Sequence, residues 1–133
     1  MKTFKKGLLA LGLTLGIIAS VGSGSVFAKS YATAYVHGAY VSGESFISYS
    51  VASAQTLSRT VGLVIVNSEY RYINTRTFKT DSQIKSAGDV RKTSAKVSFT
   101  APYNTKSIMI TSSHKVSSYG ETWTANTANE YKG

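Results

Sequence analysis

The stretch Val61-Gly62-Leu63-Val64-Ile65-Val66 is a continuous apolar run. It is short and rich in β-branched residues, which favours a strand. A run with no polar alternation is typical of a central strand that is covered on both faces. Gly62 inside the run predicts a bulge or a close approach of two backbones.

Apolar and polar residues alternate with a period of two on both sides of this run. Such alternation indicates β-strands with one buried and one exposed face. In residues 69–79, for example, Tyr70, Tyr72 and Phe78 are expected to share one face. The alternating segments are residues 31–41, 44–54, 69–79, 90–100, 106–118 and 121–126.

Turn-forming residues separate these segments. A first hairpin is expected to turn near Ser42-Gly43, and residues 81–89 are expected to form an irregular loop that ends in Ala87-Gly88-Asp89. Further turns are expected at Asn67-Ser68, Pro102–Asn104 and Tyr119-Gly120. About seven short strands at this spacing predict an all-β fold, a small antiparallel β-sandwich. A small closed barrel is the second choice.

Residues 1–28 have the layout of a secretory signal peptide. Lys2, Lys5 and Lys6 precede an apolar stretch over residues 7–21, and Val26-Phe27-Ala28 offers small residues for cleavage. The apolar stretch is shorter than the roughly 20 residues that a spanning helix needs. We therefore expect a secreted, extracellular protein. Its single β-sandwich domain would be residues 29–133, with no transmembrane segment.

The expected mature chain is cationic and has no cysteine. It carries 12 of the 15 Lys and Arg residues and all six acids, which gives a net charge of about +6. Small secreted domains often depend on disulfides, so this one must be stabilised by its sheets or by a partner chain. A secreted domain without disulfides suits a bacterium.

The sequence offers little for catalysis. The six acids lie mostly at expected turns, and general acid–base chemistry needs a carboxylate pair or a histidine with a partner. His37 and His114 are the two histidines, too few and too distant for a zinc site. No nucleophile elbow or glycine-rich phosphate loop occurs in residues 29–133. We therefore expect a protein that is not an enzyme, with no cofactor, no bound metal and no specific nucleic-acid partner.

Basic residues are concentrated in the middle third of the chain. Outside a cell, such a patch would meet anionic envelope polymers or lipid headgroups; the alternative is a surface that only keeps the protein soluble. Exposed tyrosines beside cations suit sugar stacking or a membrane interface. The residues expected to form this basic and aromatic face are Arg71, Arg76, Lys79, Arg91, Lys92, Lys96, Tyr70 and Tyr72.

Several short segments resemble the lactococcin 972-type bacteriocins. They are Asp81-Ser82-Gln83, Ala87-Gly88 and Ala95-Lys96-Val97-Ser98-Phe99, together with the earlier His37-Gly38 that precedes Tyr40. Members of that family are secreted with a cleaved signal, lack cysteine, and are cationic and rich in Ser, Thr and Tyr. The resemblance implies a small β-sandwich that acts on cell-wall synthesis in competing Gram-positive cells. It implies no catalytic residues.

These observations favour a secreted, cationic, non-enzymatic protein with a bacteriocin-like, antimicrobial action on an anionic envelope target. A second interpretation is a structural or adhesive module of the cell wall, a spore surface or a biofilm matrix, which would assemble with other copies of itself. A third interpretation is an inhibitor or partner of another secreted protein.

Overall fold

The computed structural model describes residues 30–133, which form one antiparallel sheet. Strands hold 81% of these residues, and no helix occurs among them. The predicted all-β class is therefore confirmed, and the described residues include no helix able to cross a membrane. The expected signal peptide lies outside the described residues. The strands are Tyr31–Val36 (β1), Ala39–Ile47 (β2), Val51–Asn74 (β3), Thr80–Thr100 (β4), Thr105–Ser118 (β5) and Glu121–Glu130 (β6).

The long strand β3 organises the sheet because it pairs with three other strands. On one side it pairs with β4, and on the other it pairs first with β2, over residues 52–58, and then with β5, over residues 63–74. β1 pairs with β2, and β6 pairs with β5. The strands number six rather than about seven because residues 51–74 are one continuous strand. The predicted central position of residues 61–66 is confirmed.

The sheet consists of two layers that face each other across the core. The first layer contains β1, β2, the first third of β3 and the end of β4; the second contains β5, β6 and the remainder of β3 and β4. Thr56 of the first layer hydrogen-bonds to His114 of the second, and the Asn129 amide donates to the Ser45 carbonyl at 3.2 Å. Since β1 also contacts β6, the sheet is nearly closed into a barrel.

A bend in the β3–β4 pair connects the two layers. The register shifts between Leu57 and Gly62 and again between Gly62 and Val64, so the predicted irregularity at Gly62 is confirmed. A Cβ atom at Gly62 would collide with the Ser117 carbonyl oxygen. The Ser118 hydroxyl donates to the Val61 carbonyl at 3.0 Å and lies 3.2 Å from the Thr60 hydroxyl. These contacts hold the bend against β5.

The core combines aliphatic and aromatic side chains with buried hydroxyl groups. Val64 and Val66 of the apolar run are fully buried, but Leu63 and Ile65 are only half-buried and Val61 is exposed. The sequence predicts that both faces of this strand are covered. In the fold, the inward face is covered at Val64 and Val66 and the outward face is not fully covered. The outward face of β3 is only partly covered because residues 30–133 form no third layer against it.

Two predicted turns fall inside strands. The first hairpin turns at His37-Gly38 and not near Ser42-Gly43. His37 and Gly38 both adopt positive φ, 50° and 76°. Two such residues make the tight turn that matches strand twist. Gly43 instead lies within β2, where its missing side chain leaves room for the His114 ring. Asn67-Ser68 lies within β3, where Ser68 pairs with Ser112 through hydroxyls 2.7 Å apart.

The expected loop at residues 81–89 is also a strand. This part of β4 pairs continuously with residues 64–72 of β3, and such tertiary pairing overrides the local preference of Asp, Ser and Gly for turns. Gly88 has a φ of 127°, and a Cβ atom there would collide with the Val64 carbonyl oxygen. The turns at Pro102–Asn104 and Tyr119-Gly120 are confirmed.

Candidate functional site

The strand connections and the bend of β3 lie at two ends of the molecule. We call the end where residues 48–50, 75–79 and 101–104 meet the turn end. Ala101 N–H donates to the Ser50 carbonyl, and Thr75 N–H to the Asn104 carbonyl, both at 2.8 Å. We call the opposite end, formed by residues 58–62 and 89–93, the bend end. The hairpin turns at His37-Gly38 and Tyr119-Gly120 lie beside it, since the His37 and Tyr119 rings stack 4.3 Å apart and Ser118 contacts the bend.

Two aromatic rings at the turn end are largely uncovered. Phe78 is 73% exposed and Tyr103 is 89% exposed. Phe78 has a φ of 60° in the β3–β4 turn, and Asn104, next to Tyr103, has a φ of 65°. Left-handed backbone is unusual for residues other than glycine. Both rings therefore stand on tight turns that direct them away from the core.

The turn end also contains a cleft of about 410 Å³ between its two turns. Tyr103 and Pro102 line one side, and Lys79 and Asp81 contribute from the other strand pair. The edge of Tyr72 reaches the cleft from the core. Its volume falls within the range of small-molecule sites, roughly 300–1,000 Å³.

Two of the predicted cations, Arg76 and Lys79, lie in the turn that holds Phe78. Both side chains are exposed, and neither forms an ion pair within residues 30–133. Lys106, at the start of β5, pairs in register with Ile73 and adds a third positive charge near this end. Asp81 is the nearby acid. The turn end is therefore both aromatic and positively charged.

The other predicted basic residues do not join this cluster. Arg91 and Lys92 lie at the bend end with Arg59, and the first eleven residues of β4 separate Arg91 from Lys79, about 40 Å along an extended strand. Lys96 pairs with Gln55 on the outer face of the first layer, and Arg71 pairs with Met109 on the outer face of the second. The six cations are therefore distributed over two ends and two faces.

The two tyrosines expected on the binding face are core residues, which corrects that part of the prediction. Tyr70 is 0% exposed, its ring centroid lies 5.3 Å from that of Phe99, and its hydroxyl is 2.6 Å from the Ser107 hydroxyl. Burial raises the pKa of Tyr70. Tyr72 is 7% exposed. The alternation was interpreted correctly, but even-numbered residues of β3 point inward.

The sequence prediction did not include Phe78 or Tyr103 in the binding face. Phe78 continues the alternation of Tyr70 and Tyr72, so it was grouped with them, although β3 ends at Asn74. One local signal could have revealed the turn. The Asn74 side-chain oxygen accepts from the N–H groups of Arg76 and Thr77 at 2.8 and 2.9 Å, a turn that asparagine commonly starts.

The sequence also did not reveal the position of His114, although histidine is common in functional sites. It is 1% exposed, between the two layers. The Thr56 hydroxyl donates to the Ile65 carbonyl at 2.9 Å and lies 2.8 Å from His114 Nδ1. Because that hydroxyl has one hydrogen, Nδ1 must carry the proton and donate to Thr56. Nε2 then accepts from Thr127 at 2.7 Å.

This environment gives His114 a structural role. Burial lowers the pKa of His114 to about 4, so the imidazole is neutral at physiological pH. Both ring nitrogens are occupied by threonine hydroxyls. His114 is therefore a buried connection between the layers, away from the turn end.

Comparisons with known proteins give no information about the function of this chain, so a functional assignment depends on its surface. A scan of protein-family models, a search of curated proteins and a search of solved structures each found no match to the chain.

Proposed function

We propose that this protein is a secreted, non-enzymatic, bacteriocin-like protein that binds an anionic polymer of the bacterial envelope through its turn end. The observation that carries the proposal is the proximity of two exposed rings, Phe78 and Tyr103, to two cations, Arg76 and Lys79, that form no ion pair with any residue from 30 to 133. Exposed aromatic side chains beside free cations are typical of a binding surface and are unnecessary for solubility alone.

The physical basis of binding is charge attraction supplemented by ring contacts. A net positive chain is drawn to a polyanion, and this attraction weakens as salt screens it over about 10 Å at 0.1 M. The rings add contacts that salt does not screen. We therefore expect binding that falls with ionic strength but retains a residual component that depends on Phe78 and Tyr103.

The test is co-sedimentation of the purified protein with isolated Gram-positive cell walls. Walls whose phosphate-containing polymers have been removed chemically serve as the comparison. We expect binding to intact walls, weaker binding to stripped walls and a decrease as salt rises. Equal binding to intact and stripped walls would contradict the proposal. Binding to anionic phospholipid vesicles but not to walls would identify lipid headgroups as the target instead.

A pair of charge-matched variants localises the binding. Arg76→Ser/Lys79→Ser removes two cations from the turn end, and Arg91→Asn/Lys92→Ser removes two from the bend end. Asn suits position 91 because Arg91 has a φ of 58°. We expect about a tenfold loss of wall binding for the first variant and less than twofold for the second. Equal losses would mean that net charge, and not the turn end, determines binding.

Antimicrobial action is the biological part of the proposal. The protein should slow the growth of Gram-positive cells, and Arg76→Ser/Lys79→Ser should lose that effect together with wall binding. If the protein binds walls but leaves the growth of several species unchanged, the bacteriocin-like action is wrong and only envelope binding remains.

Assembly into a matrix is a second candidate, favoured by the free edge of β4. This strand has 21 residues and, within residues 30–133, pairs only with β3, so in this part of the chain its other edge carries unpaired backbone groups over a long distance. Such an edge can pair with another chain. Lys92, Lys96 and the irregularity near Gly88 interrupt this edge, as in proteins that avoid such pairing, so we place assembly second. Concentration-dependent light scattering with thioflavin binding would support it.

A further inference from the structure

We infer that the cleft of the turn end is a saccharide subsite that takes one pyranose ring carrying an anionic substituent. The inference rests on the proposed function, because it names the chemical unit of the envelope polymer that the turn end recognises. It depends on three features of the cleft: its fixed walls, its aromatic lining and its polar groups, which include Lys79 and Asp81.

Hydrogen bonds fix both walls of the cleft without a ligand. Asn74 holds the β3–β4 turn through the two backbone N–H groups that it accepts from and through its carbonyl, which accepts from Phe78 N–H at 2.9 Å. Thr105 holds the other turn, because its hydroxyl and its N–H both donate to the Pro102 carbonyl, at 2.6 and 3.1 Å. Thr75 joins the two turns through Asn104. A preorganised cleft loses little entropy on binding.

The lining matches the surface of a sugar. Tyr103 offers an open ring face, Pro102 lies beside it and the edge of Tyr72 closes the inner side, while the other lining residues are polar. A lipid chain requires a mostly apolar site. A pyranose has apolar C–H faces, which stack on an aromatic ring, and a polar rim of hydroxyl groups. The cleft offers both kinds of surface.

The polar groups of the cleft have capacity left for a ligand. Asp81 accepts from Ser82 N–H with one carboxylate oxygen, at 2.8 Å, and the other oxygen can accept from sugar hydroxyls. The Asn74 amide nitrogen has no hydrogen-bond partner within residues 30–133, so it can donate. Lys79 lines the cleft and forms no ion pair within residues 30–133, so its ammonium group is available to a ligand. We therefore place the anionic group of the ligand on the side of the cleft that Lys79 lines.

Three small probes separate the parts of this inference by NMR titration of the purified protein. A hexose phosphate has the ring and the anion, a neutral hexose has only the ring, and glycerol phosphate has only the anion. We expect the hexose phosphate to bind about tenfold more tightly than either of the others. Equal affinity for glycerol phosphate would overturn the saccharide subsite, and tighter binding of uridine monophosphate would assign the cleft to a nucleotide.

Variants connect the probes to the residues. Tyr103→Ala and Lys79→Ser should each weaken hexose phosphate binding about tenfold, while Tyr103→Phe, which keeps the ring, should change it less than twofold. Tyr31→Ala removes an exposed tyrosine from the first layer and should have no effect. A loss of affinity in Tyr31→Ala equal to that in Tyr103→Ala would overturn the assignment to this cleft.

The same measurements distinguish the failure of this inference from that of the proposed function. If the protein binds intact walls but none of the sugar probes, the turn end recognises a polyanion by charge alone and the subsite is wrong. If it binds hexose phosphate but not walls, the proposed envelope target is wrong while the cleft remains a sugar site.

Discussion

His114 connects the two layers, and its charge state is tied to the fold. Thr56 and Thr127 occupy its two ring nitrogens, and burial between the layers favours the neutral imidazole. A protonated imidazole would have to stay charged in an environment that burial has made unfavourable for it. The unfolded chain takes up that proton near the ordinary histidine pKa of 6.5, whereas the folded chain does so near 4.

We predict that this difference makes the fold less stable in mild acid. His114 contributes fully above pH 6.5, and its contribution is lost as the pH falls towards 4, by about 3 kcal/mol in total. Denaturant unfolding at pH 7 and at pH 4 measures the loss. His114→Gln, which cannot take up a proton, should lower stability at pH 7 but remove most of this pH-dependent loss.

His37 provides the matched control for that measurement. Its ring is exposed at the bend end, where it stacks on Tyr119, and His37→Asn keeps a residue that tolerates the left-handed turn. The pH dependence of His37→Asn should equal that of the unchanged protein. If His37→Asn removes the loss and His114→Gln keeps it, the wrong histidine has been assigned.

Gly43 makes the position of His114 testable from the opposite layer. Alanine in place of glycine within a strand normally adds stability, but here the new methyl group would enter the imidazole ring. We predict that Gly43→Ala lowers the free energy of unfolding by about 1–3 kcal/mol. In a His114→Ala background the same change should be neutral or favourable, a coupling that a double-mutant cycle measures. Additive effects would show that the two residues are not in contact.

At the scale of the elements, the bend in β3 determines how the layers face each other. A 24-residue strand would be too long for one small sheet, but the register shift after Leu57 lets its two parts join different layers. Ser118 fixes the bend through the Val61 carbonyl and the Thr60 hydroxyl. We predict that Ser118→Ala destabilises the protein by about 1–2 kcal/mol, because it leaves a carbonyl group without its partner.

The control for Ser118→Ala lies one residue earlier. Ser117 faces the outside and hydrogen-bonds only to the exposed Thr122 hydroxyl, at 2.9 Å, so Ser117→Ala should change stability by less than about 0.5 kcal/mol. Thermal unfolding of both variants compares them directly. Hydrogen exchange at residues 60–63 should speed up in Ser118→Ala alone. Equal effects of the two substitutions would mean that the bend does not depend on Ser118.

The elements show which features a local pattern can predict. The alternation correctly indicated strands and placed Tyr70 and Tyr72 on one face of β3, but it did not show that this face points inward. The apolar run marked the central position of the strand. Asn67-Ser68 and residues 81–89 were mistaken for a turn and a loop because each carries turn-forming side chains. In the fold, a neighbouring strand supplies the side-chain partners of Asn67 and Ser68, as the Ser68–Ser112 pair shows, and residues 81–89 pair with β3 through their backbone. A pattern of about ten consecutive residues contains no information about a partner more than 40 residues away in the sequence, such as Ser112 for Ser68.

At the scale of the whole molecule, charge in the sequence did not translate into one charged face. Arg76, Lys79, Arg91 and Lys92 are close in sequence, yet a long strand takes the two pairs to opposite ends. The first pair joins Phe78 and Tyr103 only because the β3–β4 and β4–β5 turns meet. The cations of the candidate site could therefore be named from the sequence. Its aromatic residues and its cleft depend on the contact between the turns.

The expected signal peptide over residues 1–28 predicts that exported protein has a defined N-terminus. The expected cleavage after Ala28 would leave Lys29 and Ser30 ahead of β1, and the Ser30 carbonyl already accepts from Ser45 N–H at 2.8 Å. The strands β1 to β6 all lie after this cleavage site. Cleavage also removes Lys2, Lys5 and Lys6, which lowers the net charge from +9 to about +6.

Protein recovered from the culture medium should begin at Lys29, as N-terminal sequencing or intact mass would show. Ala28→Tyr, with a side chain too large for signal cleavage, should keep the full-length chain with the cells. Full-length protein in the medium would contradict the signal peptide.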